Sequence, residues 1–143
     1  MSTNNLVKMS FPSKSENVAI ARVTAAAFAA QLDLTLNDLE EIKVAVSEAI
    51  SNAVIHGYGE TVGEIEFEMI LEDNCMEFII VDHGKGIADI DLARQPSYSS
   101  DPERMGLGFV FMESFMDKLT VESEVGSGTK VRMQKKINIA QEH

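Results

Sequence analysis

Residues 64–82 read EIEFEMILEDNCMEFIIVD, and this stretch decides most of the fold. Apolar side chains alternate with glutamates through residues 64–72, which is typical of a strand with one face in the core and one in water. The dipeptide Asp73-Asn74 then favours a tight turn, and the apolar run 75–82 predicts a second, more buried strand. We therefore expect a β-hairpin. The positions of its first strand that face the core are Ile65, Phe67, Met69 and Leu71.

Two helices are predicted before this hairpin. Ser13 and Glu16 have the spacing of a capping box, which predicts a helix running to about residue 32. Thr35 offers a cap for a second helix, and Gly57 is well placed to end it. The second helix carries one apolar face, formed by Ile42, Ala45, Val46, Ala49, Ile50, Ala53 and Val54.

Shorter elements complete the pattern. Residues 5–11 alternate weakly and predict an edge strand, residues 108–117 predict a short helix, and residues 119–137 predict a closing hairpin that turns at 126–128. We therefore predict one α+β domain over residues 1–143. It should be a two-layer sandwich, with a mixed or antiparallel sheet and the helices on one face.

Composition and charge limit the function. The chain has 143 residues, of which 45% are apolar and 24% charged, as in soluble globular proteins. The net charge of −11 argues against a nucleic-acid or anionic-membrane binder, because either needs a basic face. The single cysteine, Cys75, excludes an internal disulfide. The first residues lack an apolar leader, and we expect a cytoplasmic protein.

The negative charge is concentrated in one part of the chain. Residues 36–81 hold eleven acidic side chains against Lys43 alone, so this stretch carries −10. Elsewhere the balance is close to neutral, and Lys85, Arg94 and Arg104 lie in or beside the long loop that follows the hairpin. Overall acidity therefore does not exclude a polyanionic ligand at that loop.

The first predicted helix is apolar on nearly every side. Between Val18 and Ala30 only Arg22 and Thr24 are polar. A helix of this kind needs cover on more than one side. Deep burial in one core is one explanation. The other, which we favour, is that one face packs on the sheet and the Ala-rich remainder meets a partner subunit or protein.

A polar edge on the second helix is a candidate for chemistry. Glu48 and Asn52 stand four residues apart, which stacks them along one edge of the helix. An amide oxygen is a good ligand for Mg²⁺, and a carboxylate one turn away can accept a proton. A solvated helix face is the alternative. His56 follows one turn later, where capping or packing is the commoner role, and we leave it out of the chemistry.

Three glycine motifs follow in the sequence. Asp82-x-Gly84-x-Gly86 comes where a buried strand ends, so a flat ligand can approach the backbone, although an Asx turn has the same pattern. Gly106-x-Gly108, with Arg104 just before it, leads into a helix and suits either an anion or a hinge. Gly128-Thr129 opens the last strand and by itself indicates only a hairpin turn.

In this order the four motifs resemble the sequence boxes of the ATPase superfamily that unites gyrase, heat-shock chaperones, histidine kinases and MutL. Four boxes in order are far more specific than any one of them. Within that superfamily, the short chain and the stretches SEAISNAVIHGY, LARQP and GLGFVFMESFMD resemble the anti-sigma serine kinases of endospore-forming bacteria. The resemblance extends from about residue 6 to residue 137.

The resemblance implies ATP and Mg²⁺ as ligands and gives each matching residue a role. Glu48 would be the general base and Asn52 the Mg²⁺ ligand. Asp82 would bind the adenine amino group, with Gly84 and Gly86 beneath the base. These roles come from the family and not from the spacing alone.

Further roles follow for the second half of the chain. Residues 87–105 would form a lid over ATP, with Arg104 reaching the terminal phosphates. Gly106 and Gly108 would contact phosphate through backbone N–H groups, and Thr129 would help to hold the adenine.

The resemblance also implies partners. Such a chain would sequester a sporulation sigma factor and phosphorylate a serine of the matching anti-anti-sigma factor. It would form a homodimer through the first helix, where Arg22 matches a partner-binding position. We expect no direct contact with nucleic acid or membrane.

Three alternatives share some of these features. One is a stress-response anti-sigma kinase of the same family. Another is the detached catalytic domain of a histidine kinase. The third is a non-catalytic interaction protein that binds nucleotide as a structural ligand.

Overall fold

A computed structural model describes residues 4–94 and 105–137. These residues form one five-stranded sheet in the order β1-β2-β3-β5-β4, and every neighbouring pair is antiparallel. The predicted α+β class is confirmed, with an antiparallel rather than a mixed sheet. The strands are β1 (Asn5–Pro12), β2 (Glu64–Glu72), β3 (Cys75–Asp82), β4 (Lys118–Glu124) and β5 (Gly128–Lys136).

The central hairpin forms as the alternation predicts. Glu72 pairs with Cys75 across the turn, and Asp73 and Asn74 take φ values of 52° and 64°. Positive φ at both central residues gives a turn whose twist matches that of the strands. The inward side chains of β2 are at most 1% exposed, whereas Glu64, Glu66 and Glu72 are exposed on the opposite face.

The helices form a second layer on one face of the sheet. They are α1 (Glu16–Ala29), α2 (Leu36–Asn52), α3 (Ile90–Ala93) and α4 (Met105–Phe115), and α2 continues into a π-helical segment (Ala53–Tyr58). The middle position belongs to α2, which packs against both α1 and α4. Its apolar stripe is buried and meets the inward face of the sheet in one core. Within the described ranges, no helix has both the length and the apolar character that a membrane crossing requires.

The first helix is covered on one side only. Ala21, Ala25 and Phe28 lie in the core, whereas Ile20 is 53% exposed and Val23 is 63% exposed. These two side chains lie one turn apart, so they form a small exposed apolar patch on the outer face of α1. Complete burial of α1 within this chain is therefore wrong, and a partner on its outer face stays a prediction.

Two predicted helix ends are wrong. Ser13 does not cap α1, because the helix begins at Glu16 and the Ser13 hydroxyl instead accepts the Gly63 N–H at 3.0 Å. Ser13 also donates its backbone N–H to the Gly63 carbonyl at 2.8 Å, so it belongs to the end of β1. Gly57 does not end the second helix either, because the chain continues through the π-helical segment to Gly59, with φ of 62°.

Thr35 caps α2 as predicted, since its hydroxyl accepts the Asp38 N–H at 3.0 Å. We expect Thr35→Ala to lower the free energy of unfolding by about 1 kcal/mol, because a first-turn N–H loses its partner. Urea unfolding followed by circular dichroism measures this change. Thr35→Ser keeps the hydroxyl and should retain most of the stability. Equal losses in the two variants would show that the methyl group, not the cap, matters.

Candidate functional site

A cavity opens between the helical layer and the end of the sheet at which β3 stops. Its walls come from five elements: α2, the π-helical segment, β3, α4 and β5. Both layers of the fold therefore contribute to the cavity. The lining residues are Ala49, Asn52, Ala53, His56, Gly57, Ile80, Asp82, Ile87, Phe109, Thr129 and Val131. Most of this wall is apolar, with a few polar groups at defined positions, and the free space between them is small, about 20 Å³.

The polar edge of α2 meets the first turn of α4. A Cβ atom built on Gly108 would lie 2.9 Å from Oε1 of Glu48 and 3.6 Å from both amide atoms of Asn52. A side chain at this position would therefore displace the Glu48 carboxylate from the beginning of α4. The structure therefore brings together residues of two separate motifs, Glu48 and Asn52 from one and Gly108 from the other.

The beginning of α4 differs from the prediction. We expected the helix to start at about residue 108, and this is wrong, because α4 begins at Met105. Phe109 and Met112 are buried in the core, and this packing outweighs the weak helix propensity of two glycines. Gly106 and Gly108 thus lie in the first turn, where backbone N–H groups have no partner within the helix.

Asn52 lines the cavity, and one atom of its side-chain amide has no hydrogen-bond partner in the described part of the chain. Its Nδ2 atom is fully buried and has no hydrogen-bond partner among the residues that the structure describes. Burying an amide in this way costs free energy unless a ligand or water bonds it. The unpaired group is a donor, so it suits a ligand with an acceptor such as a phosphate oxygen, and Oδ1 of the same amide is the atom that could hold a cation.

Asp82 is the last residue of β3 and is 5% exposed. Its Oδ1 atom accepts the backbone N–H of Gly84 at 2.9 Å. Burial raises the pKa of this carboxyl above its ordinary value of 3.8, and backbone hydrogen bonds from Gly84 and Thr129 oppose that rise without cancelling it. Asp82 is therefore a buried hydrogen-bond acceptor, and its ionised form gains from a donor in the cavity.

Two glycines hold the backbone close to Asp82. A Cβ on Gly57 would lie 2.7 Å from the Asp82 carboxyl carbon, and a Cβ on Gly84 would lie 2.0 Å from the Gly57 carbonyl oxygen. That carbonyl accepts the Lys85 N–H at 2.9 Å. The π-helical segment delivers Gly57 to this position, which agrees with the frequent occurrence of such segments at functional sites. The sequence analysis gave Gly57 only a role in helix termination.

The loop after Gly86 is anchored at its beginning. A Cβ on Gly86, with φ of 80°, would lie 2.2 Å from the Glu124 carbonyl oxygen. The Lys85 carbonyl accepts the Gly126 N–H at 2.8 Å, which fastens the loop to the β4–β5 hairpin. Of the expected lid, 87–105, residues 95–104 lie outside the described part of the chain, and so does Arg104.

Other candidate residues fall at different distances from the cavity. Thr129 lines it, and its role beside an adenine base stays a prediction. His56, which we left out of the chemistry, is 5% exposed and lines the same cavity as Asn52. Its position one turn after Asn52 is the signal that could have placed it there. Arg22 is not in the wall; its Nη1 donates to the Ser47 hydroxyl at 3.5 Å, between α1 and α2.

Comparison with known proteins defines the class of this domain. Residues 11–135 match the family described as the histidine kinase-like ATPase domain, and the chain belongs to that family. The fold agrees with two solved structures. The first contains the RsbU and RsbW domains of a Mycobacterium tuberculosis protein; it has a TM-score of 0.66 and 19% sequence identity, and the match covers 93% of this chain and 32% of that one. The second is a blue-light activated histidine kinase of Erythrobacter litoralis; it has a TM-score of 0.55 and 20% sequence identity, and the match covers 74% of this chain and 32% of that one.

Within this class the chain belongs to the anti-sigma F factors. It is 46% identical over 140 residues to the protein of that name in Clostridium acetobutylicum, covering 96% of this chain and 98% of that one. The proteins of the same name in Geobacillus thermodenitrificans and Clostridium botulinum are 49% and 50% identical, over 93% and 94% of this chain and 93% and 96% of theirs. The resemblance drawn from the four motifs is confirmed.

The raised pKa of Asp82 predicts a pH effect on stability. At pH values between the ordinary pKa of 3.8 and the higher pKa in the fold, Asp82 holds its proton more tightly in the folded chain than in the unfolded chain. Ionisation of Asp82 therefore lowers the free energy of unfolding as pH rises through this window. We expect Asp82→Asn to gain stability relative to the wild type as pH rises to neutral, measured by urea unfolding.

Asp33→Asn is the matched control, because Asp33 is an exposed carboxylate between α1 and α2. It removes the same charge without touching the cavity. If the stability difference between Asp82→Asn and the wild type stays constant across the pH range, burial does not raise this pKa.

Proposed function

We propose that this chain is an anti-sigma factor and an ATP-dependent protein-serine kinase, acting on a serine of an anti-anti-sigma factor. The observation that carries the catalytic part is that Gly108 lies beside Glu48 and Asn52, and that Asn52 lines a cavity together with Asp82 and Thr129. The names of the anti-sigma F relatives support the regulatory part. The proposal places the chain in the cytoplasm, where sigma factors act.

The adenine end of the cavity is the end at Asp82. The buried carboxylate offers an acceptor, and an exocyclic amino group supplies the donor that this acceptor needs. The apolar wall, which includes Ile80, Phe109 and Val131, gives a flat base a dry surface. Thr129 adds a hydroxyl at the same end.

The phosphate end is the first turn of α4. Backbone N–H groups at a helix N-terminus attract phosphate oxygens through hydrogen bonds and the helix dipole, and Gly106 and Gly108 leave those groups accessible. Arg104, just before the helix, would add positive charge. A bound Mg²⁺ would supply charge neutralisation at this end, and the Asn52 amide oxygen would hold it from the protein side.

Glu48 stands where a proton must be removed. It lies one turn before Asn52 and beside Gly108, so its carboxylate is next to the proposed phosphate site. In the reaction the serine Oγ forms a bond to the γ-phosphorus, the bond from that phosphorus to the bridging oxygen breaks, and ADP leaves. Glu48 would accept the serine proton, while the surrounding groups orient the two reactants.

The loop 87–105 would close over the nucleotide. At its beginning the Arg94 guanidinium forms an ion pair with Glu113 of α4, and the short helix α3 packs against α4. This contact ties the first part of the loop to the helix that carries the phosphate site.

The first helix is the proposed surface for protein partners. Its outer face exposes Ile20 and Val23, and Arg22 lies between them and α2. We propose a homodimer through this region, with Arg22 contacting the sigma factor or the substrate. The proposed dimer interface would have the two apolar faces of α1 at its centre and Arg22 near its edge, which is the usual arrangement of protein interfaces.

Glu48→Gln should reduce phosphate transfer by at least about 10²-fold, because the amide cannot accept the serine proton. Nucleotide binding should stay within about twofold of the wild type, because size and shape are kept. Transfer of labelled γ-phosphate to the anti-anti-sigma factor measures the first quantity, and calorimetry with ATP measures the second. Unchanged transfer would exclude Glu48 as the base.

Asn52→Ala provides the contrast, because it should weaken Mg²⁺-dependent ATP binding itself.

Treating the labelled product with acid identifies the residue that accepted the phosphate. Phosphoserine survives this treatment and phosphohistidine does not, so loss of label would favour the histidine-kinase alternative. Absence of any ADP release on adding the substrate would favour a non-catalytic role.

Val23→Glu should shift the protein from dimer to monomer, because it places a charge in the proposed apolar contact. Sedimentation velocity at micromolar concentration measures the shift. Val125→Glu is the matched control, since Val125 is 66% exposed and Val23 is 63% exposed. A wild-type chain that sediments as a monomer would contradict the dimer.

A further inference from the structure

The hydroxyl of Ser123, in β4, lies at the junction of three segments around the cavity. It accepts the Ile87 N–H at 2.7 Å, donates to the Gly128 carbonyl oxygen at 2.9 Å and lies 2.8 Å from the Thr129 hydroxyl oxygen. None of the four sequence motifs includes Ser123. Its three contacts join the first residue of the expected lid to the strand that begins with the Gly128-Thr129 motif.

The single proton of Ser123 determines the direction of the third bond. A hydroxyl has one donor and two acceptor positions, and a carbonyl oxygen can only accept. The bond to Gly128 therefore uses the Ser123 proton, and the bond from Ile87 uses one lone pair. The Thr129 hydroxyl must then donate to the remaining lone pair of Ser123, which fills all three positions.

This direction matters because Thr129 lines the cavity beside Asp82. With its proton turned toward Ser123, the Thr129 hydroxyl presents only lone pairs to a ligand. The Asp82 carboxylate also presents only acceptors, and it is held in place by the Gly84 N–H at 2.9 Å. Asp82 and Thr129, which are neighbours across β3 and β5, thus present two acceptors to the cavity.

We propose that Ser123 is a positioning residue that fixes the Thr129 hydroxyl as an acceptor and so selects purine nucleotides with an amino group at position 6. This inference rests on the proposed ATP site and deepens it. A 6-oxo purine presents a carbonyl oxygen at the same place, where it would face two acceptors and no donor. Buried polar groups left unpaired in this way are the main source of strong discrimination between similar ligands.

Inosine triphosphate is the probe for this role, because it differs from ATP in the 6-substituent and the attached ring proton. The measured quantity is the ratio of the dissociation constants for the two nucleotides. We expect the wild type to favour ATP and Ser123→Ala to reduce that preference about tenfold. The reason is that a released Thr129 hydroxyl can rotate and donate to the 6-oxo group.

Two further variants separate positioning from a loss of structure. Ser123→Thr keeps the hydroxyl and should keep the preference, and Ser127→Ala, at an exposed hydroxyl of the same hairpin, should leave it unchanged. In a Thr129→Val background, Ser123→Ala should no longer alter the preference, because Ser123 acts through the Thr129 hydroxyl.

Equal weakening of both nucleotides in Ser123→Ala, with the ratio unchanged, would overturn the proposed role of Ser123 while leaving the ATP site intact. An undiminished effect in the Thr129→Val background would also overturn it. A wild-type chain that binds neither nucleotide would overturn the proposed function itself, and the role of Ser123 with it.

Discussion

The arrangement around the end of β3 depends on backbone segments that approach more closely than any side chain would allow. Gly57, Gly84 and Gly128 each lie where a Cβ atom would come within 2.7 Å of the Asp82 or Gly57 atoms beside them. This contact joins the helical layer, the central strand and the last strand at one residue, Asp82. The cavity exists because these three segments meet without side chains between them, which leaves their polar groups free to face inward.

From that junction the rest of the site follows in order. The π-helical segment adds the extra residue that brings Gly57 down to Asp82, and α2 before it then presents Glu48 and Asn52 to α4. The β4–β5 hairpin holds the beginning of the loop through Ser123 and the Lys85 carbonyl. Each of these elements therefore packs in the common core and also places at least one group at or beside the cavity.

Periodicity was enough to predict the sheet and the helical layer, because alternation in β2 and the apolar stripe of α2 are local signals. The order of the four motifs was enough to bring Asn52, Asp82 and Thr129 to one place, and these three residues line the same cavity. Helix ends were less predictable. Whether Ser13 caps a helix or extends a strand depends on Gly63, fifty residues away, and the π-helical segment depends on contacts with β3 that have no local pattern.

The buried amide of Asn52 and the raised pKa of Asp82 link ligand binding at the site to the stability of the folded protein. Both are costs to the folded chain, and a nucleotide that bonds them removes those costs while binding only the folded state. Ligand at a hundredfold excess over its dissociation constant adds about 2.7 kcal/mol to the free energy of unfolding. For a domain of marginal stability, the nucleotide supply would then influence how long each copy survives proteolysis, independently of any phosphate that it transfers.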